Sequence, residues 1–229
     1  MFKRAFITVV MAVWLALLWV PAALAAVVVY GDSRTDQAAH RKVVEGILKV
    51  SPAAVFHTGD FVNDGRRPAD WVEPVKIIDL LRARAEFFAA LGNHEEESPL
   101  FFKYFPSPGR RWYSVDREGT HFIVLDSCAP LKAGTEQFAW LKKDLAESRG
   151  KQPSTAVLFH HPLFSSGPHR EDEMGLRKDL VPLFREYGVD IVIAGHEHHY
   201  ERLTDGSIYY IVTAGGGAPL YDVRKSEPR

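Results

Sequence analysis

Residues 27–34 read Val-Val-Val-Tyr-Gly-Asp-Ser-Arg, an apolar run of four that stops at a Gly-Asp pair. Such a run, closed by glycine and a polar donor, reads as a buried strand ending in a loop. The following segment, 36–50, carries Val43, Val44, Ile47 and Leu48 on one helical face. The unit then recurs. Ala-Ala-Val-Phe-His (53–57) runs into Gly59-Asp60 ahead of a helical stretch over 71–81, and Glu-Phe-Phe-Ala-Ala-Leu (86–91) runs into Gly92-Asn93. Strands alternating with helices predict a parallel, covered sheet whose binding crevice lies at the carboxyl ends of its strands.

Further along, 111–116 and 121–127 flank Arg117, Glu118 and Gly119 and predict an antiparallel hairpin. A helix over 135–147 follows, with Phe138, Leu141 and Leu145 at helical spacing. Next come a strand ending at His160, a helix over 176–188 that contains Pro182, and a strand ending at Gly195. The expectation is a mixed α/β sandwich, with a straight run of the 176–188 helix weakened by its proline. The stretch 98–110 is expected to be irregular, packing Phe101, Phe102 and Phe105 against the domain or walling the cleft.

The strand tips share a chemistry. Asp32, Asp60, Asn93, His160, His196 and His198 all follow apolar runs. Carboxylate, carboxamide and imidazole donors suit a pair of hard or borderline cations. Asp32 and His198 are assigned to metal one, Asn93, His160 and His196 to metal two, and Asp60 bridges both, because a carboxylate offers two oxygens.

The bulk numbers fit one globular domain: 229 residues, 46% hydrophobic and 25% charged, with a formal net charge of −1. That charge gives no nucleic-acid-binding signature. Lys3 and Arg4 precede an apolar run over 5–20, followed by Pro21 and Ala23-Leu24-Ala25, which predicts a signal peptide over 1–25 and a secreted or periplasmic mature domain over 26–229. The alternative is an uncleaved membrane anchor; with cleavage, no stable membrane association is expected. Cys128 is the single cysteine, which excludes an internal disulfide, and at the end of an apolar strand it reads as a small buried side chain.

The Gly-Asn-His-Glu at 92–95, Val-Leu-Phe-His-His-Pro at 157–162, Gly-His-Glu-His-His-Tyr-Glu-Arg at 195–202 and the glycine run at 215–217 carry a resemblance. The chain resembles the calcineurin-like metallophosphoesterase superfamily, in its purple-acid-phosphatase-like branch. The resemblance implies a four-layer α/β/β/α sandwich with two mixed β-sheets. It implies two divalent or mixed-valence metal ions, drawn from Fe, Mn or Zn, and hydrolysis of a small phosphate ester by a hydroxide held between them. It further implies that His94 and His169 contact phosphate or protonate the leaving alcohol, with Glu95 positioning the His94 imidazole. Phosphomonoesters are the leading substrates. A phosphodiesterase or nucleotide-directed hydrolase, or a non-catalytic phosphate-binding protein, are the alternatives.

Two positions depart from that pattern. Arg34 stands where the superfamily usually has histidine, and Asn63 where the purple branch usually has tyrosine. Two roles are open to Arg34, a clamp on substrate phosphate or a bidentate salt bridge to Asp32. Asn63 either ligates metal one or caps the following turn. His40 and His121 read as surface or structural, and His57 as packing or as a ligand-orienting group. His161 and His199 neighbour ligand candidates and are expected to point away from the metals, while Glu201 and Arg202 brace their loop as a pair. Relatives of this kind commonly continue beyond the strand at 208–213, so a shortened chain would expose an edge near Tyr210.

Overall fold

The computed structural model describes residues 25–95, 97–106, 109–169 and 172–222. Apart from Ala25, the expected signal peptide lies outside the described residues. Strands β1 (Val27–Tyr30), β2 (Ala54–His57) and β3 (Glu86–Ala89) form a parallel sheet in that order. A second sheet holds β4 (Tyr113–Arg117), β5 (Thr120–Val124), β6 (Ser154–Phe159), β7 (Ile191–Ala194), β8 (Tyr200–Thr204) and β9 (Tyr209–Thr213), in the order β4-β5-β6-β7-β9-β8. Only the outer pairs, β4–β5 and β8–β9, are antiparallel. The fold is the expected α/β/β/α sandwich, with the mixing of strand direction confined to the second sheet.

Period-two alternation decides which layer each side chain joins. On β2, Ala54 and Phe56 point between the sheets, where Phe56 stacks on Phe88 at 4.8 Å and on Phe122 at 4.4 Å. Val55 points outward against α1 (Gln37–Lys49) and α2 (Pro68–Arg82), meeting Val44, Ile77 and Leu81. On the second sheet Phe122, Val124, Ala156, Leu158 and Ile193 face inward. Ile123, Val157, Phe159 and Val192 face α4 (Glu136–Ser148) and α5 (Arg177–Tyr187) through Leu141, Leu145, Leu180 and Phe184.

Local chemistry sets the helix ends. Asp36 caps α1 by accepting from the amides of Ala38 and Ala39, and Thr135 caps α4 by accepting from Phe138. α5 continues through Pro182 and stops at Gly188, whose φ of 71° supplies a left-handed cap. The stretch after residue 98 is more ordered than expected: Ser98 caps a short helix, α3 (Pro99–Tyr104), because Pro at its start is pre-set for helix. Phe101 and Phe105 of this stretch pack on Phe61 and Trp71, so the packing role holds. The expected exposed edge near Tyr210 is corrected. β9 lies between β7 and β8, leaving Tyr210 buried and β8 as the edge.

Candidate metal centre

Every strand that ends in a Gly-donor pair delivers its donor to the same rim of the two sheets. Asp32, Asp60 and Asn93 leave the tips of β1, β2 and β3; His160, His196 and His198 leave β6 and β7. The tips crowd together. A Cβ on Gly195 would stand 2.5 Å from an Asp32 oxygen and 2.7 Å from Thr58 Oγ1, so only glycine lets these two tips approach. Asp32, Asp60 and His196 themselves adopt positive φ, 57°, 62° and 69°, a conformation non-glycine residues take at a cost and that clusters at functional sites.

Three acceptors converge in what we term the second half of the centre. His160 Nδ1 lies 3.0 Å from the Thr58 carbonyl and donates its proton there, leaving the Nε2 lone pair facing Asn93 Oδ1 at 2.9 Å. His196 Nε2 donates to the Glu173 carboxylate at 3.1 Å, so its Nδ1 lone pair faces Asn93 Oδ1 and His160 Nε2, each at 3.2 Å. Asp60 Oδ1 stands 3.4 Å from His160 Nε2. Donors bonded at about 2.1 Å to one cation in tetrahedral array stand about 3.4 Å apart, so this set fits a metal ion. The carboxylate and carbonyl behind the two imidazoles are the outer partners that fix a metal-binding tautomer.

The first half has the same kinds of donor in a different state. His198 donates from Nδ1 to the Pro219 carbonyl at 2.7 Å, and its Nε2 faces Asp32 Oδ1 at 3.5 Å. Into this half reaches Arg34. Its Nη2 donates to His198 Nε2 at 3.4 Å, its Nη1 to Thr35 Oγ1 at 3.4 Å, and its Nε lies 3.4 Å from Asp60 Oδ2. The expected salt bridge to Asp32 is therefore corrected: Arg34 pairs with Asp60, while both Asp32 oxygens accept from the His196 amide at 3.1 and 3.2 Å. Burial, then the Asp60 charge, push the Asp32 carboxyl well above its usual range, as expected for a carboxylate placed to neutralise a cation. Burial also lowers the imidazoles, His198 to about 4, so their lone pairs are available near neutrality.

Other side chains set the rim. His94 donates its backbone N–H to Asp60 Oδ1 at 3.0 Å and its Nδ1–H to the Asn63 carbonyl at 2.8 Å, leaving Nε2 3.8 Å from Asp60 Oδ2. Glu95 does not position that imidazole. Its carboxylate instead accepts from the amides of Asp60, Phe61 and Gly92 at 2.7–2.9 Å, because it is buried beneath the loop and not beside the ring. Asn63 Oδ1 accepts from Thr35 Oγ1 at 2.9 Å, and the turn that follows is closed by Asp64, which accepts from Arg66 N. The Asn63 amide thus does not take up the expected turn-capping role. His169 Nδ1 lies 3.2 Å from Glu197 Oε1, and its ring centroid is 4.5 Å from that of His196.

Several expectations for neighbouring residues change. His161 faces the site: its nearest donor joins those of His160 and His196 within a 4.8 Å group, and its Nδ1 meets Ser127 Oγ at 2.8 Å. Strict alternation fails because the chain bends at His160 and His161 after β6 ends. Burial lowers His161 to about 2, so it is a neutral ring. Glu201 accepts from the Ser166 backbone and hydroxyl and bonds His199, while Arg202 lies over the Tyr209 ring; they do not form the expected pair, because neighbours in β8 point to opposite faces. His57 braces the Asp60 loop by accepting from Gly59 N and bonding Ser33 Oγ. His40 bonds Tyr30, and His121 bridges Asp116 and Asp144, both structural. Burial raises the Cys128 thiol, consistent with an inert side chain.

Glu173, Glu197 and Tyr221 were not singled out by sequence. Tyr221 stacks on His198 with ring centroids 4.1 Å apart. Glu197, between two ligand candidates, carries a weak signal: alternation turns it away from the site, toward the backbone of His169. Glu173 carries none, since nothing separates it in sequence from Asp172, which accepts from Leu176 and Arg177 instead.

A two-sheet sandwich with oxygen and imidazole donors gathered at its strand tips defines a metal-binding α/β protein of the phosphoesterase type. The chain belongs to the calcineurin-like phosphoesterase family, whose model matches residues 26–200. It is 31% identical over 212 residues to a phosphoenolpyruvate phosphatase of Allium cepa, spanning 81% of this chain and 43% of that relative. It is 32% identical over 180 residues to acid phosphatase type 7 of Homo sapiens, spanning 66% and 40%. The chain thus spans less than half the length of these curated relatives. In fold it is similar to a purple acid phosphatase from yellow lupin seeds, TM-score 0.74 at 24% identity over 88% of this chain and 46% of that one. A dimetal phosphatase from Danio rerio gives TM-score 0.63 at 16% identity over 83% and 88%. The family implies a two-metal centre. The second half fits an ion on its own donors, whereas the first holds the Arg34 guanidinium against His198 and Asp60.

Proposed function

We propose that this chain is a metal-dependent hydrolase of phosphate esters, acting on small phosphomonoesters. The observation that carries this reading is the convergence of His160 Nε2, His196 Nδ1 and Asn93 Oδ1 within 2.9–3.2 Å of one another, with no proton left to share. A bound cation there supplies Lewis-acid polarisation of a phosphoryl oxygen and acidifies water from about 15.7 toward 7.

The chain's own groups do the rest. Arg34, half-sunk between Asp60 and His198, offers a permanent charge to the phosphoryl oxygens. His94, its Nδ1–H held by the Asn63 carbonyl, meets developing negative charge through Nε2–H when its ring is the imidazolium. His169, its Nδ1–H held by Glu197, is the general acid in its imidazolium form, giving the Nε2 proton to the departing oxygen and ending as the neutral ring. Three such groups suit a dianionic monoester better than a monoanionic diester. The names of the relatives, phosphoenolpyruvate phosphatase and acid phosphatase, support the same class.

Export is part of the reading. It is supported by the Lys3-Arg4 pair, the apolar run and the Ala23-Leu24-Ala25 pattern. No helix among the described residues is long and apolar enough to cross a membrane. A mature N-terminus at Ala26 in the exported fraction would establish cleavage.

The deciding experiment strips the protein of metal, restores Mn, Zn or Fe, and compares an aryl phosphomonoester with the matching diester. Monoester turnover that returns with metal and vanishes in Asp60→Asn supports the proposal. Absence of turnover with every metal overturns it.

A further inference from the structure

The two halves of the centre differ in one respect that their donors alone do not explain. In the second, lone pairs face lone pairs. In the first, the lone pair of His198 accepts from Arg34 Nη2, and one oxygen of Asp60 is ion-paired with Arg34 Nε, at 3.4 Å each. We propose that the Arg34 guanidinium fills the first half, so that the folded chain takes up one metal ion, in the second half, and not two. This rests on the reading of the site as a metal centre.

Three observations support it. First, the contacts use the atoms a metal would need: Nε2 of His198, whose other nitrogen is committed to Pro219, and the Asp60 oxygen turned away from His160. Second, Arg34 is sunk into this half: its side chain is 16% exposed, Nη1 donates to Thr35 Oγ1, Nη2 donates to His198 Nε2, and Nε ion-pairs with Asp60 Oδ2. Third, arginine cannot lose its proton and become a ligand, so a divalent ion among Asp32, Asp60 and His198 would require the whole side chain to leave.

Charge points the same way. Of the groups that would touch the ions, Asp32 and Asp60, both buried, supply two negative charges, with the Glu173 carboxylate standing behind His196. Arg34 with one divalent ion already exceeds them by one, and a second divalent ion beside the guanidinium would take the excess to three, in a site shielded from water. The arrangement keeps the electrostatic part of a two-cation site, a fixed positive charge beside the substrate, with one cation built into the chain.

The test counts ions and asks where they sit. Metal-stripped protein is loaded with Mn(II), freed of excess, and measured by elemental analysis and electron paramagnetic resonance. One Mn per chain with the spectrum of an isolated ion is expected. Asp32→Asn should retain that ion and His196→Ala should lose it. Arg34→His, which removes the guanidinium and adds an imidazole donor, should bind two ions with an exchange-coupled spectrum; Arg34→Met, checked for native melting, separates loss of charge from gain of a ligand by showing weaker second-ion binding.

Two ions in the unaltered protein would overturn the inference and leave the hydrolase reading standing. No ion at all would overturn both. A single ion lost in Asp32→Asn but kept in His196→Ala would put it in the other half and equally sink the inference, as would Arg34→His holding at one.

Discussion

The two halves of the centre draw on the same donor types from the same strand tips, yet one is short of positive charge and the other is not. Around His160, His196 and Asn93, the protons go outward, to Thr58 and Glu173, and acceptors meet in the middle. Around His198 and Asp60, the Arg34 guanidinium reaches inward, donating to His198 and ion-paired with Asp60. The lesson is that a ligand's identity does not define a metal site; where each neighbouring proton is parked does.

The largest effect should come from breaking the open half. His160→Ala or His196→Ala should cost more than about 100-fold in metal affinity, since changes to outer partners alone cost about 10–100-fold. Metal-restored hydrolysis should fall with it, and the pair of titrations, affinity and turnover, checks the claim. Asp32→Asn, in the filled half, should alter affinity far less.

A smaller change is expected from the outer partner of the open half. Glu173→Gln keeps the shape but weakens the hold on the His196 tautomer, and should reduce metal affinity about 10-fold to 100-fold in competition with a chelator. Tyr221→Leu, behind His198 in the filled half, should leave metal affinity unchanged. Equal losses in the two variants would erase the contrast between halves.

Metal also adds stability, because it binds the folded chain only. At about 100 times the dissociation constant the gain is about 2.7 kcal/mol, a rise in Tm of roughly 5–10 °C for a chain of this length. His196→Ala should show no such rise on adding metal, and Asp32→Asn should keep it.

The smallest effect lies outside both halves and serves as a scaffold control. Burial disfavours charge on His121, but its bonds to Asp144 and Asp116 outweigh that and raise its pKa above the ordinary 6.5. The stabilisation is therefore fully present below the unfolded value and is lost as pH rises through the folded one. His121→Gln should lose about 1 kcal/mol at about pH 5.5, and much less at about pH 9, with metal affinity unchanged. Thermal melts at the two pH values decide it.

Most of the fold was legible because its signals are local. The strand-glycine-donor unit repeats at β1, β2 and β3, and each helix carries its own periodicity and cap. The convergence of Asp32, Asp60, Asn93, His160, His196 and His198 follows once strand tips are placed on one rim. What escaped depends on distances between segments. Arg34, read as a phosphate clamp or as a salt bridge to Asp32 two residues away, pairs with Asp60 because the β1 and β2 tips lie side by side, with Asp32 N bonded to Gly59 O. His161 was expected to face away, and a bend turns it in. Glu173 sits in a loop whose acidic residues look alike in sequence and differ only in what stands opposite them.

The donors for the open half come from both layers: Asp60 and Asn93 from the parallel sheet, His160 and His196 from the mixed one. Among the described residues these sheets share no strand pairing and meet through the side chains of the inner layer. A cation held there acts as a rivet between two plates. Pulled apart at the rim, the unriveted protein should yield first along the seam between Phe56 and Phe122, and the riveted one only after its metal contacts rupture. The mechanical order of unfolding would then be set by four coordinating atoms, and ion supply would decide whether the two sheets part separately or as a single body.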